Sequence, residues 1–220
     1  MKGLSLAFFA LLLTVSCTRD AYDKGQGPYS LMRADLVEAH VRTDSLIDQI
    51  TTDDGDQLTL TEPRKPSWVK QVDTLYRALF YYNKVEKNQA EVISVSSVPT
   101  VKIVPLKSLK TDMKTDPVKL ESVWLAKSKR FLNVGLYVKT GQTDDKEAIH
   151  KLGVISESLQ THTNGKRTLH LRFFHDQGGM PEYYSQRTYC SIPLYEVTAD
   201  SVSFTIQTYD GSVTKRFAIK

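Results

Sequence analysis

Phe131-Leu132-Asn133-Val134-Gly135-Leu136-Tyr137-Val138 carries the most regular alternation in the chain. Leu132, Val134, Leu136 and Val138 recur at every second position, the period that puts side chains of an extended strand on one face. The stretch reads as a strand with one face in a core, and the segments on either side repeat the pattern. Upstream, residues 118–124 enter as another strand. Downstream come strands at 148–155, 168–173, 187–194, 201–208 and 213–219. Asn164-Gly165 and Asp210-Gly211 supply tight hairpin turns, and Gly178-Gly179 marks a loop. Seven short strands over about 100 residues predict a β-sandwich. The Cys–Trp–Cys spacing of antibody domains is missing from the sequence.

Asp116-Pro117 is the expected boundary in front of this sandwich, because proline fixes φ and restricts the residue before it. Upstream the pattern is again strand-like. In residues 34–42, Val37, Ala39 and Val41 oppose Glu38, His40 and Arg42. Residues 46–50 and 58–60 flank Asp53-Asp54-Gly55-Asp56, a hairpin signature. Pro63 and Pro66 lead past Trp68 to a long aromatic run at 74–85, followed by short apolar runs at 91–98 and 101–104. That run also fits helical spacing through Leu75, Ala78, Leu79 and Tyr82, and its aromatic density favours strand. Five or six short strands predict a small closed or partly closed barrel, with lysine-rich residues 106–115 as a turn or helical bridge.

The N-terminus reads as an address. Residues 1–17, MKGLSLAFFALLLTVSC, place Lys2 before a short apolar run and end on small residues and Cys17. The run is shorter than the roughly 20 residues a membrane span needs. The order is that of a secretory signal, and a cysteine at the cut makes Cys17 the expected lipidation site. An ordinary cut after Ser16 is the rival reading, since Thr14 and Ser16 also suit one. Glycine-bearing residues 17–33 then form a tether. The expected organisation is a signal at 1–16, the tether at 17–33, a barrel at 34–115 and a sandwich at 116–220.

The composition, 40% hydrophobic and 25% charged, is enough for a real core. A formal charge of +4, from 29 basic and 25 acidic residues, is too small to argue for nucleic acid. Of the two cysteines, Cys17 is assigned to lipid, so Cys190 has no partner and reads as a small buried hydrophobe.

Chemistry-bearing residues are sparse. His150, His162, His170 and His175 lie in the second half, but His170 and His175 are separated by an odd offset that puts them on opposite faces of a strand. No metal is expected. His175-Asp176 could pair a base with an acid, with Ser185 or Ser191 as nucleophile, but no G-x-S-x-G elbow supports it. The acidic Asp53–Asp56 turn lacks the spaced ligands of a calcium loop. Tyr76, Phe80, Tyr81 and Tyr82 could form a stacking platform but read better as core.

The order of several segments resembles the NigD-like family of bacterial lipoproteins. These are Asp116-Pro117-Val118-Lys119, Trp124, Leu132-Asn133-Val134, His150, Leu171-Arg172-Phe173-Phe174-His175 and the closing Tyr209-Asp210-Gly211 hairpin. The first half is similar too, with an Asp-Asp-Gly hairpin, a tryptophan and a long strand. The lysine-rich linker and the insert around residues 127–130 depart from the pattern. The resemblance implies an all-β chain, an N-terminal OB-like barrel followed by a C-terminal immunoglobulin-like β-sandwich, in a lipoprotein exported by a Gram-negative bacterium. It brings no catalytic residues. The expected function is non-enzymatic: an envelope lipoprotein, held by lipid on Cys17 most simply at the outer membrane. Its expected partner is an envelope protein, a peptide such as a bacteriocin, or a glycan. No cofactor and no nucleic acid is expected. A bacteriocin immunity-type role and an envelope hydrolase are the alternatives.

Overall fold

The computed structural model describes residues 30–86 and 88–220. The signal reading, Cys17 and the tether up to residue 29 lie outside them. Thirteen strands and one short 3-10 helix make up the described chain, which is all-β as expected. The first five are β1 (Met32–Val41), β2 (Ile47–Thr52), β3 (Gln57–Arg64), β4 (Thr74–Val85) and β5 (Gln89–Ser97). They close into a barrel in the order β1-β2-β3-β5-β4, with β3 and β5 parallel. Closure leaves no edge exposed. Alternation builds its core: Val37, Ala39 and Val41 of β1, Ile47 and Ile50 of β2, and Leu58 and Leu60 of β3 all point inward. Of the aromatic run of β4, Phe80 and Tyr82 are fully buried core, Tyr76 packs half-buried against that core, and Tyr81 is half-buried. The Tyr82 hydroxyl is satisfied by donating to Asp35 Oδ2 at 2.7 Å. Gly55, at φ +93°, makes the turn after β2 possible.

The second half contains β6 (Ile103–Pro105), the 3-10 turn Leu106–Ser108, β7 (Lys119–Leu125), β8 (Phe131–Thr140), β9 (Lys151–Thr161), β10 (Arg167–Asp176), β11 (Tyr184–Pro193), β12 (Ser201–Thr208) and β13 (Gly211–Ala218). One sheet runs β13-β12-β10-β9-β6 and the other β11-β8-β7. Their facing sides enclose one core that includes Leu132, Val134, Leu136, Phe173, Ile192 and Phe204. Cys190 belongs to this core and is fully buried.

Three features depart from the sequence reading. The sixth apolar run does not join the barrel: β6 pairs in parallel with β9, so the chain enters the sandwich sheet upstream of Asp116-Pro117. A three-residue strand carries no pattern that says which sheet it joins. The strand expected at 148–155 runs instead over Lys151–Thr161, because its pairing with β10 slips around Glu157. One extra residue there breaks the alternation that marks a strand in sequence. Finally, β8 is buried on both faces along Phe131–Leu136, not on one. Its second face is covered by Arg77 and Asp53 of the barrel at Phe131 and Asn133 and by Tyr189 of β11 at Gly135, and Met32–Lys220 forms a single compact unit.

Candidate functional site

The junction of barrel and sandwich gathers the polar residues that the sequence left without a role. Arg77 on β4 is buried, and its Nη2 donates to both carboxylate oxygens of Asp53 at 2.6 Å. Arg77 Nε donates to Ser191 Oγ at 2.9 Å, and Nη2 also reaches Asn133 Oδ1 at 3.1 Å. Asn133 Nδ2 donates to Asp53 Oδ2 at 2.7 Å, and the Ser191 hydroxyl donates to Asn133 Oδ1 at 2.7 Å. The guanidinium lies over the Phe131 ring, 4.2 Å from its centre. Burial pushes the Asp53 pKa up, against the pull of Arg77, and pushes the Arg77 pKa down, against the pull of Asp53. The pairing and the shared hydrogen bonds offset only part of that desolvation. Nearby, Arg130 grips Glu38 with two bonds of 2.9 and 3.0 Å. This network fastens the two halves, and its donors and acceptors point at one another except for Arg77 Nη1, which is buried without a hydrogen-bond partner among the described residues.

The hydrolase alternative finds no geometry here. Ser191 is enclosed in the junction and bonded to Arg77 and Asn133. His175 Nδ1 donates to the main-chain oxygen of Asp116 at 2.9 Å, since that oxygen can only accept. Its Nε2 faces His150 Nδ1 at 3.1 Å, with the rings 22° apart. Asp176 accepts from the Gly178 amide and lies 3.7 Å from Lys151, rather than orienting His175. His162 bonds to Thr168, and His170 to Gln160 on the outer face of β10. Ser185 is exposed on β11 opposite Lys139. Among the described residues no three His, Cys, Asp or Glu side chains are grouped to hold a metal. Cys190, its thiol pKa pushed up to about 12 by burial, is no nucleophile.

One of several open features, and one with an apolar floor, is a cleft of about 370 Å³ at the β6–β9 side of the sandwich, within the size range of small-ligand sites. Ile103, Leu159, Leu169 and Val197 give it an apolar floor, and Lys102, Ser156 and Glu196 give it polar groups. Tyr195, 62% exposed, stands at its rim with Arg130 over its ring. Leu159 sits directly opposite Leu169, so the slip at Glu157 is what aims it into the cleft. The far wall, residues 194–199, is held firmly. Arg167 Nη2 and Lys220 Nζ both donate to the Thr198 carbonyl, and Asp200 accepts from the Arg167 amide. Sequence reasoning missed this site because its members come from four separated segments.

Among the described residues, no helix is long and apolar enough to cross a membrane. On the outward face of β2 and β3 stand Asp48, Gln57, Thr59 and Thr61, polar residues without an aromatic among them.

Residues 102–219 match the NigD-like C-terminal beta sandwich domain, a stretch that begins one residue before β6. No curated protein matches the chain. Three crystal structures share the fold. A NigD-like immunity protein from Bacteroides caccae superposes with a TM-score of 0.69 at 23% identity, over 84% of this chain and 96% of that one. A candidate toxin-related protein from Parabacteroides distasonis gives 0.63 at 15% identity, over 84% and 92%. A candidate lipoprotein from Bacteroides fragilis gives 0.61 at 12% identity, over 86% and 98%. The family expected from the order of segments and the family matched by the sandwich are the same, and the chain belongs to the NigD-like family.

Proposed function

We propose that the protein is a lipid-anchored, non-catalytic binding protein of the cell envelope, held at the outer membrane through Cys17. One contrast carries the reading. His150, His175, Ser191 and the Arg77–Asp53 pair are committed to holding strands and halves together, whereas the cleft beside β9 is open, braced by hydrogen bonds and mixed in character. Family membership supports a non-enzymatic role. The envelope address is supported by the signal-like residues 1–17 and by the fold shared with the candidate lipoprotein from Bacteroides fragilis. Several acyl chains on one cysteine would anchor the protein stably without a spanning helix, since each buried methylene contributes about 0.8 kcal/mol.

The anchor is tested by metabolic labelling with a fatty-acid precursor. Label is expected on the wild-type protein and absent from Cys17→Ala, and equal label on both would remove the lipid from the account.

A bacteriocin immunity-type role is the second reading, favoured by the fold shared with the NigD-like immunity protein of Bacteroides caccae. It predicts that deleting the gene sensitises the producer to a particular toxin. Unchanged killing curves across a bacteriocin panel would dispose of it.

A further inference from the structure

The sheet beside the cleft has a vacant lane. On its outer side β9 is paired only along Val154–Ser156, by β6. The ladder ends after Pro105, where the chain turns into the 3-10 turn at Leu106–Ser108, which lies beside β9 without pairing with it as a strand. From Glu157 to Thr161 the backbone of β9 is paired with β10 on one side and with nothing on the other among the described residues. All five of these residues are exposed. Five residues of free edge extend about 17 Å and present alternating amide donors and carbonyl acceptors.

We infer that this lane, with the cleft below it, is a docking site for an extended polypeptide segment that adds to β9 as a strand. The inference rests on the proposed binding role and names the class of partner. Three observations select a strand over a small molecule or a sugar. The unmet groups are a row of main-chain donors and acceptors, which another main chain matches in repeat and direction. The lane continues the one β6 already occupies, so the fold shows a partner strand seated at the same edge. The cleft lies under one face of the lane, since Leu159 and Leu169 are opposite each other and both line it. Every second side chain of an added strand would therefore enter an apolar floor, and the others would face solvent. The expected ligand is a segment of about five residues with apolar side chains at alternate positions and no proline among them. Lys102 and Glu196, one of each charge, add no demand for a strongly charged peptide.

The test uses the full chain in detergent micelles and a phage-displayed library of random linear decapeptides. Enriched sequences should alternate apolar and polar residues. A synthetic peptide of the most enriched sequence should slow amide hydrogen exchange at residues 157–161. Leu159→Asp, at an exposed position, should weaken its binding at least tenfold, while Leu75→Asp on the barrel leaves it unchanged. N-methylation of alternate peptide amides should also weaken binding at least tenfold, which separates main-chain pairing from side-chain contact. Each contrary result overturns the inference. A peptide that binds without slowing exchange at 157–161 puts the site elsewhere. No enrichment removes a peptide as the partner class. Protection without peptide that rises with protein concentration makes a second copy the occupant, and protection lost on deleting residues 18–29 makes it the chain's own segment. Failure of the binding role itself is read separately, by cross-linking in cells.

Discussion

Arg77 Nη2 lies 2.6 Å from both carboxylate oxygens of Asp53, and the same guanidinium reaches Ser191 and Asn133 across the barrel–sandwich junction. Asp53 stands in the turn between β2 and β3, while Ser191 and Asn133 are paired on neighbouring strands of the sandwich. One arginine therefore joins a barrel turn to a sandwich sheet. The cleft wall is joined to the same region, since the Leu194 amide donates to the Arg130 carbonyl and the Arg130 side chain holds Glu38 of β1. The halves are positioned by buried polar contacts, which fix orientation in a way apolar burial does not.

Replacing Arg77 by leucine removes one partner of a buried ion pair and leaves the Asp53 carboxylate enclosed. Urea denaturation should show a loss of about 3–5 kcal/mol. Combining Arg77→Leu with Asp53→Leu removes the stranded charge, so the double variant should be more stable than Arg77→Leu alone. A loss below about 1 kcal/mol for the single variant would mean that the network does not hold the halves together.

His150 gives the fold a pH dependence. Burial lowers its pKa below the usual 6.5 and the neighbouring His175 lowers it further, against a smaller opposing pull from the Lys139 backbone. A lowered pKa means that the unfolded chain binds the proton more tightly than the folded one. Stability from this group is thus complete above pH 6.5 and is lost as pH falls through 6.5 toward the folded value. Midpoints of urea unfolding between pH 7.5 and 5 should fall for wild type and fall less for His150→Phe. Identical slopes would count against the pair.

Gly178 and Gly179 look alike in the sequence but not in the fold. A Cβ at Gly178 would lie 2.0 Å from the Ile149 carbonyl oxygen, whereas one at Gly179 meets nothing within 4 Å. Both have positive φ, at 60° and 77°. Gly179→Ala should cost about 1–2 kcal/mol of backbone strain, and Gly178→Ala clearly more, because main chain must also move. Thermal unfolding of the two variants checks the order.

Cys190 should be silent toward thiol reagents in the native protein, because it is fully buried and its pKa is pushed up to about 12. Ellman's reagent should react with it only as the protein unfolds in urea. Rapid reaction in native buffer would contradict the core placement.

Much of the strand order was legible because one buried face imposes period two. Residues 34–42, 74–85, 131–138 and 201–208 all lie within or close to observed strands. What escaped depends on pairing between distant segments. Asp53 looked like one more turn residue, since its partners Arg77 and Asn133 lie 24 and 80 positions away. Asn133 and Gly135 occupy the polar side of an alternating strand, and the sequence has no mark showing that barrel residues bury the first and side chains of neighbouring sandwich strands the second. Gly135 has room only for hydrogen, with the Tyr189 ring 2.9 Å from where its Cβ would be. The cleft stayed hidden for a related reason. The slip at Glu157 shifts Leu159 onto the inner face, and a bulge reads in sequence as the end of a strand.

Binding at the β9 cleft is the proposed activity. Its most direct test is photo-cross-linking in living cells, with a photoreactive amino acid at Tyr195 on the cleft rim or at Leu75 on the barrel, both exposed. The account predicts a light-dependent adduct with one envelope partner from position 195, reduced by Leu159→Asp, and none from position 75. No adduct at 195, or equal adducts at both positions, would contradict it.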